Sequence, residues 1–203
     1  MAPGPRGLEW LSRRSLLHAH SLLPQSPLDR YDARTVVLHW ATAVLVVALW
    51  LSAQVIDAFP QGPARTNMRS AHVTLGVALA VLIVYRIAWR RLMGARLPGL
   101  GHPVLARAAS AVHVALYALI VIEVALGVTN VWVRGDSIFN LFTIPSFAPG
   151  DRALRRQING YHELVANTIL VVAGLHAAAG LAHHYVWKDA VLRRMWPPKR
   201  RPG

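Results

Sequence analysis

The sequence predicts an all-α integral membrane protein, a bundle of four spanning helices with both termini on the cytoplasmic side. Three observations predict it. Of 203 residues, 54% are hydrophobic and only 15% are charged, and the mean hydropathy is positive, which is too apolar for an ordinary soluble domain. The apolar residues fall in four long blocks, each near the roughly 20 residues that a helix needs to cross about 30 Å of hydrocarbon. The basic residues behind the net charge of +13 gather in alternate gaps between those blocks.

Residues 1–30 precede the blocks. "LEWLSRRSLLHAHSLL" has short apolar runs interrupted by arginine, unlike a signal-peptide core, and is expected to be a poorly ordered or interfacial cytoplasmic extension. The bundle domain occupies 31–190, with spans at 36–56, 71–89, 108–129 and 161–186. "FPQGP" breaks the chain between the first two spans and "RLPGLGHP" between the second and third. A basic cytoplasmic tail closes the chain over 191–203.

The charges set the orientation. The N-terminal region carries Arg6, Arg13, Arg14, Arg30 and Arg34. The second loop carries Arg90, Arg91, Arg96 and Arg107, with Arg86 reaching out of the helix end, and the C-terminal region has Lys188, Arg193, Arg194, Lys199, Arg200 and Arg201. The first and third loops share only Arg65, Arg69, Arg134, Arg152, Arg155 and Arg156. The positive-inside rule places both termini and the second loop in the cytoplasm. The basic charge is thus a topology signal and not a nucleic-acid footprint. With no cysteine in the chain, disulfides, cysteine-ligated clusters and covalent haem attachment are excluded.

"YHELVANTILVVAGLHAAAGLAHHYVW", the fourth span, carries four histidines. Polar side chains inside a span need a partner. His72 and His162 each lie at the outer start of a span and so share a depth. His176 is fourteen residues beyond His162, just under four turns on the same face and about 21 Å deeper. His39, near the inner start of the first span, matches that deeper level. Two histidine pairs at two depths suit two axially bis-histidine b-type haems stacked across a four-helix core. His183 competes with His176 for the inner position, since it counts in from the cytoplasmic end as well as His176 does. The small residues of "GLHAAAG" favour His176, because a flat porphyrin can lie against them.

These residues resemble the bacterial cytochrome b-561 family of dihaem inner-membrane proteins. The resemblance rests on "YHELVANTILVVAGLHAAAGLAHHYVWKD", supported by "RYDARTVVLHW" and "NMRSAH", and covers residues 29–198. It implies that His39 with His176 and His72 with His162 are the axial ligands of two b haems, a pattern that favours His176 over His183 at the inner position. It also implies electron exchange with ubiquinone. The similarity in "HAAAGLAHHYVWKD" is to members that oxidise periplasmic superoxide to dioxygen. The chain departs from the family in its N-terminal extension and in Glu123, which stands where such members are apolar.

That chemistry suggests further candidates. Arg69, one turn before His72, suits a haem propionate. Arg152, Arg155 and Arg156, just before the fourth span, suit the steering of a small anion. His113, His183, Trp187 and Lys188 are candidates for a quinone or propionate at the inner level. Glu123 is open to pairing with arginine or a propionate, to a proton path, or to a hydrogen bond between helices. The expected function is a superoxide:quinone oxidoreductase. The alternative is a membrane electron conduit serving a partner redox protein. A histidine-based metal-ion transporter is disfavoured by the scarcity of carboxylates at the histidine levels and by unbroken spans.

Overall fold

The computed structural model describes residues 30–95, 97 and 103–196. The N-terminal extension with His18 and His20, the loop residues Arg96 and His102, and the tail cations Lys199, Arg200 and Arg201 lie outside the described residues. Among the described residues, four long helices make up the fold: α1 Ala33–Ile56, α2 Pro63–Leu92, α3 Pro103–Arg134 and α4 Arg152–Tyr185. All four are long and apolar enough to cross a membrane. Each outruns the apolar block that predicts it, α2 and α4 most at their starts. Apolar composition marks the part inside hydrocarbon, whereas the backbone stays helical until a cap stops it.

The caps are legible. Asp32 caps α1, its carboxylate accepting from the Thr35 backbone N–H at 2.8 Å and from the Thr35 hydroxyl at 2.6 Å. Pro63 begins α2 in the first turn, where its missing N–H costs nothing. Asp151 caps α4 by accepting from Leu154 N–H at 2.9 Å. Gly135 ends α3 at φ +67, a left-handed position that suits glycine. Its close neighbour Ser146 would stand 3.1 Å from an added Cβ.

After Gly135 the chain forms a small hairpin, β1 Ser137–Ile138 against β2 Phe142–Thr143. Phe139 and Asn140 at its tip both have positive φ, as a turn matching the strand twist requires. Ser70 of α2, 1% exposed, pins this hairpin by accepting from Phe139 N–H at 2.8 Å. Asn140 also donates to Asn67 at 2.7 Å. One consequence is that Asp136 is carried inward between two arginines.

At the other end, Asp32 also accepts from Trp89 Nε1 at 3.1 Å and from Ala95 N–H at 3.3 Å, joining the start of α1 to the end of α2. Burial would raise its carboxyl, but the bonds from Thr35, Ala95 and Trp89 prevail and hold its pKa below the usual value. The chain beyond α4 returns as a 3-10 turn, Leu192–Met195, and binds α1 through Trp40 Nε1 to Met195 O at 2.9 Å.

Large apolar side chains such as Val44, Val81, Val114 and Val171 face outward, as a lipid-facing surface requires. Threonines inside the spans return their hydroxyls to the carbonyl four residues back, as in Thr42 to Leu38 and Thr168 to Leu164, which keeps those hydroxyls from standing bare in lipid. Among the described residues the buried core is an apolar cluster of Leu79, Ile83, Ile120 and Ile169, flanked by Leu45, Val46, Leu49 and Ile87. Ile169 lies seven residues from both His162 and His176, so this cluster forms a layer between the two histidine levels.

Candidate functional site

The helices bring the histidines together in pairs. His72 of α2 and His162 of α4 have ring centres 6.3 Å apart with planes at 85°. His39 of α1 and His176 of α4 have ring centres 6.1 Å apart with planes at 77°. The two separations are nearly equal. Two metal–nitrogen bonds of about 2 Å, with about 1 Å from each nitrogen to its ring centre, span about 6 Å, so each pair is spaced to clasp one metal between its rings. Among the described residues, no three His, Cys, Asp or Glu side chains converge to hold a bare metal ion. With only two protein ligands per level, the remaining ligands would have to arrive with the metal, as a porphyrin brings them.

The pair nearer the hairpin opens on a cavity of about 1690 Å³ that reaches the Leu79–Ile120–Ile169 layer. That is larger than the roughly 300–1,000 Å³ of common small-ligand sites. The groups behind the imidazoles suit a metal on each Nε2. Ser52 donates its hydroxyl to Leu49 O at 2.7 Å and lies 2.8 Å from His72 Nδ1; with its proton so committed, Ser52 accepts from Nδ1–H. His72 Nε2 then keeps its lone pair. Across the cavity, His162 Nδ1 lies 3.1 Å from Glu123 Oε1. That contact is within ion-pair range but not aligned as a hydrogen bond. Among the described residues, His162 Nδ1 and Glu123 Oε2 are buried without another hydrogen-bond partner.

Two glycines shape the same wall. A Cβ on Gly127, one turn beyond Glu123, would come 3.3 Å from His162 Cε1, so the bare backbone lets the imidazole lie against α3. A Cβ on Gly76, one turn beyond His72, would project into open space within 4 Å, leaving a flat face on the cavity. Arg69, Arg134, Arg155 and Arg156 also line it. Arg69 and Arg134 approach Asp136 Oδ1 at 3.7 and 3.4 Å, and among the described residues Arg69 Nε is buried without a hydrogen-bond partner. Burial raises the Asp136 carboxyl against the pull of Arg134, Arg69 and Arg155. Paired imidazoles with free Nε2 atoms, a broad flat-walled cavity and an orphaned guanidinium donor fit a haem b with its propionates.

At the second level the spacing fits but one contact opposes ligation. Arg86 of α2 places a guanidinium nitrogen 2.9 Å from His39 Nδ1. Guanidinium only donates, so Nδ1 accepts there, and a neutral His39 carries its proton on Nε2. Ligation through Nε2 therefore requires Arg86 to release Nδ1 or His39 to lose its proton. His113 of α3 also joins this level, its ring centre 5.0 Å from that of His176.

The remaining candidates are dispersed. His183 Nδ1 meets Asp189 Oδ2 at 2.5 Å, and its ring packs on Trp187 at 4.5 Å, while Lys188 takes a left-handed turn conformation at φ +53. Arg155 donates to the Arg134 carbonyl at 3.2 Å. Arg152 does not line the cavity. The cavity wall also includes Asp57, Glu123, Asp136 and Glu163, so its four arginines face four carboxylates. The sequence reading missed three contacts: Glu123 with His162, Arg86 with His39, and His113 with His176. The first two carried a signal, since a carboxylate and a guanidinium inside spans each demand a partner.

Comparison with known proteins adds to this geometry. The family model described as prokaryotic cytochrome b561 matches residues 30–198. A probable superoxide oxidase of Yersinia pestis is 32% identical over 178 residues, covering 84% of this chain and 98% of the relative. Cytochrome b561 homolog 1 of Escherichia coli strain K12 is 28% identical, covering 85% of this chain and 100% of the relative. Cytochrome b562 of Cereibacter sphaeroides is 30% identical, covering 83% and 96%.

Proposed function

Since the chain belongs to the prokaryotic cytochrome b561 family, membrane electron-transfer cytochromes that carry haem b, we propose that it holds two haems and oxidises superoxide while reducing ubiquinone. His72 with His162 would hold one haem and His39 with His176 the other. The carrying observation is the recurrence of one ring separation, 6.3 and 6.1 Å, at two levels of the bundle. Haem b supplies reversible one-electron chemistry at each level.

The protein's own residues supply the rest. Ser52 fixes the tautomer of His72, and Glu123 stands behind His162. Arg69, with its unpaired Nε, is the proposed propionate partner. In the orientation given by the positive-inside rule, the hairpin end faces the periplasm. Arg155 and Arg156 are exposed there and would draw a small anion toward the cavity, with Arg152 further out.

The overall reaction takes one electron from each of two superoxide anions. It returns two dioxygen molecules and delivers two electrons and two protons to one quinone. The quinone would be met at the cytoplasmic end, where His113, His183, Trp187 and Lys188 are the proposed contacts. His113 is favoured among them because it touches the His176 level.

Support for superoxide comes from the name of the Yersinia pestis relative and from the exposed arginines. The second reading, an electron conduit docked to a partner redox protein, draws on the relatives named simply as cytochromes and on the balanced charge of the cavity wall. One experiment separates them. Purified protein is assayed for two b haems per chain by pyridine haemochrome, then pulsed with superoxide in the presence of ubiquinone. Quinone reduction by the isolated chain supports the oxidase; two haems without it support the conduit. No haem in a folded, haem-supplied preparation sinks both.

A further inference from the structure

Helices α3 and α4 run antiparallel along the cavity and meet there in three rungs. At the mouth, Arg155 donates to the Arg134 carbonyl at 3.2 Å. One turn further in, Asn130 Nδ2 donates to Asn159 Oδ1 at 3.2 Å. One more turn in, Gly127 lies against His162, where an added Cβ would stand 3.3 Å from Cε1. The rungs repeat because steps of four and then three residues, 155–159–162 on α4 and 134–130–127 on α3, stay on one face of a helix.

The middle rung is unfinished. Asn130 lines the cavity and is only 6% exposed, yet its Oδ1 is buried with no hydrogen-bond partner among the described residues. A buried polar atom left bare is costly, and in a native protein it points to a further partner. A side-chain amide carries an acceptor oxygen and two N–H donors on one planar end. Half a turn of that end keeps the bond between the helices, now donated by Asn159, and points the Asn130 N–H donors to the unpartnered side. Asn159 is exposed and able to turn with it.

The place of this rung matters as much as its chemistry. Asn130 directly follows the third apolar block of the sequence and Asn159 shortly precedes the fourth, so the pair stands where water gives way to hydrocarbon. Outside it, Arg155 and Arg156 are exposed; inside it is the His72–His162 pair. A donor without net charge suits a small anion in transit. A guanidinium would hold the anion by charge as well as by hydrogen bonds, and tight holding before the reaction adds nothing to its rate.

We propose that the Asn130–Asn159 pair is the seat at which superoxide halts before the His72–His162 level, one turn or about 4.5 Å along α4 from His162. This rests on the reading that the chain oxidises superoxide. The anion passes the exposed arginines and accepts N–H bonds from Asn130. It gives one electron to the ferric haem of that level and leaves as dioxygen, with no proton moved. Dioxygen has no charge and accepts hydrogen bonds poorly, so the amide that halts the substrate releases the product.

The test is pulse radiolysis of the full chain carrying both haems, oxidised and without quinone, which reads the second-order rate of haem reduction by superoxide. Asn130→Leu keeps the bulk and removes donor and acceptor together. The expected result is a fall of about tenfold, the loss of one hydrogen bond to a charged partner. Its salt dependence should match that of the unaltered protein, because no charge is removed, whereas Arg156→Gln should flatten it. The same proteins are then reduced by a flash-generated neutral deazaflavin radical, and N130L is expected to keep that rate. A mere clamp between α3 and α4 would slow both reductions together or neither. An unchanged superoxide rate in N130L, or equal losses with both reductants, therefore overturns the seat. If N130L sheds a haem, Asn130→Ala decides by the same pair of rates. An unaltered protein that holds two haems yet is not reduced by superoxide sinks the oxidase reading itself, and the seat with it.

Discussion

Gly127 offers a sharp perturbation because its neighbour is a candidate ligand. In Gly127→Ala the new methyl would stand 3.3 Å from His162 Cε1 and 3.9 Å from its Nδ1. Carbon atoms pack best at about 3.5–4.0 Å, so the imidazole must yield by a few tenths of an ångström or α3 must move. Overpacking of this kind costs about 1–3 kcal/mol. Alanine also returns about 0.5–1 kcal/mol of helix propensity relative to glycine. The net loss is about 1–2 kcal/mol, concentrated on the seat of His162. That corresponds to about a tenfold faster escape of the cavity-level haem, taking about 1.4 kcal/mol per factor of ten.

Val121→Ala is the control. It lies on the same helix as Gly127, also gains helix propensity, and its side chain is 47% exposed and does not line the cavity. The assay is haem transfer to an excess of apomyoglobin, followed in the visible spectrum for the unaltered protein and both variants. The expected result is a fast phase worth one haem in G127A only. G127A and V121A losing haem at the same rate would refute the argument that His162 is seated against α3.

Two further outcomes are expected. His176→Ala should leave one b haem per chain by pyridine haemochrome, whereas His183→Ala should leave two, because the His183 ring is committed to Asp189; loss of a haem in H183A alone would reverse the assignment. Asp32→Ala removes an N-cap and the bonds from Trp89 and Ala95, and should cost about 2 kcal/mol and several degrees of Tm in detergent. The Asp32 carboxyl is depressed in the folded state, so its contribution is full above the unfolded value of about pH 4 and is lost as pH falls through the folded value. D32A should therefore flatten the acid limb of the Tm profile, and an unchanged limb would show that the clamp does not matter.

Much of this architecture could be read from the chain. Apolar blocks give the four spans because a bilayer demands length and composition together. Counting residues inward gives the depths of His39, His72, His162 and His176, since rise per residue is constant along a helix. Depth was readable but azimuth was not. α3 is apolar on nearly every side, so no stripe tells which of its residues turn inward, and its contributions Glu123, Gly127 and His113 emerged only with the tertiary arrangement. The choice between His176 and His183, which seven residues put on nearly one face, turned instead on the path the chain takes after α4. The left-handed turn at Lys188 returns Asp189 to His183, which no count of depth reveals. The hairpin that delivers Asp136 to Arg69 and Arg134 depends on Ser70, whose small hydroxyl gives no hint of that duty in the sequence.

The layer of Leu79, Ile83, Ile120 and Ile169 has an energetic meaning for the cell. Those four aliphatic side chains carry no group that can relay a proton. In the proposed direction, a negative charge would cross the insulating part of the bilayer unaccompanied, and the protons for the quinone would be drawn from the cytoplasm. Each turnover would then charge the membrane as a capacitor, making the inside more negative. A voltage of that sign would push back with about 2.3 kcal/mol per charge for each 100 mV. On that reading, the four aliphatic side chains would make this chain a generator whose rate answers to the voltage it builds.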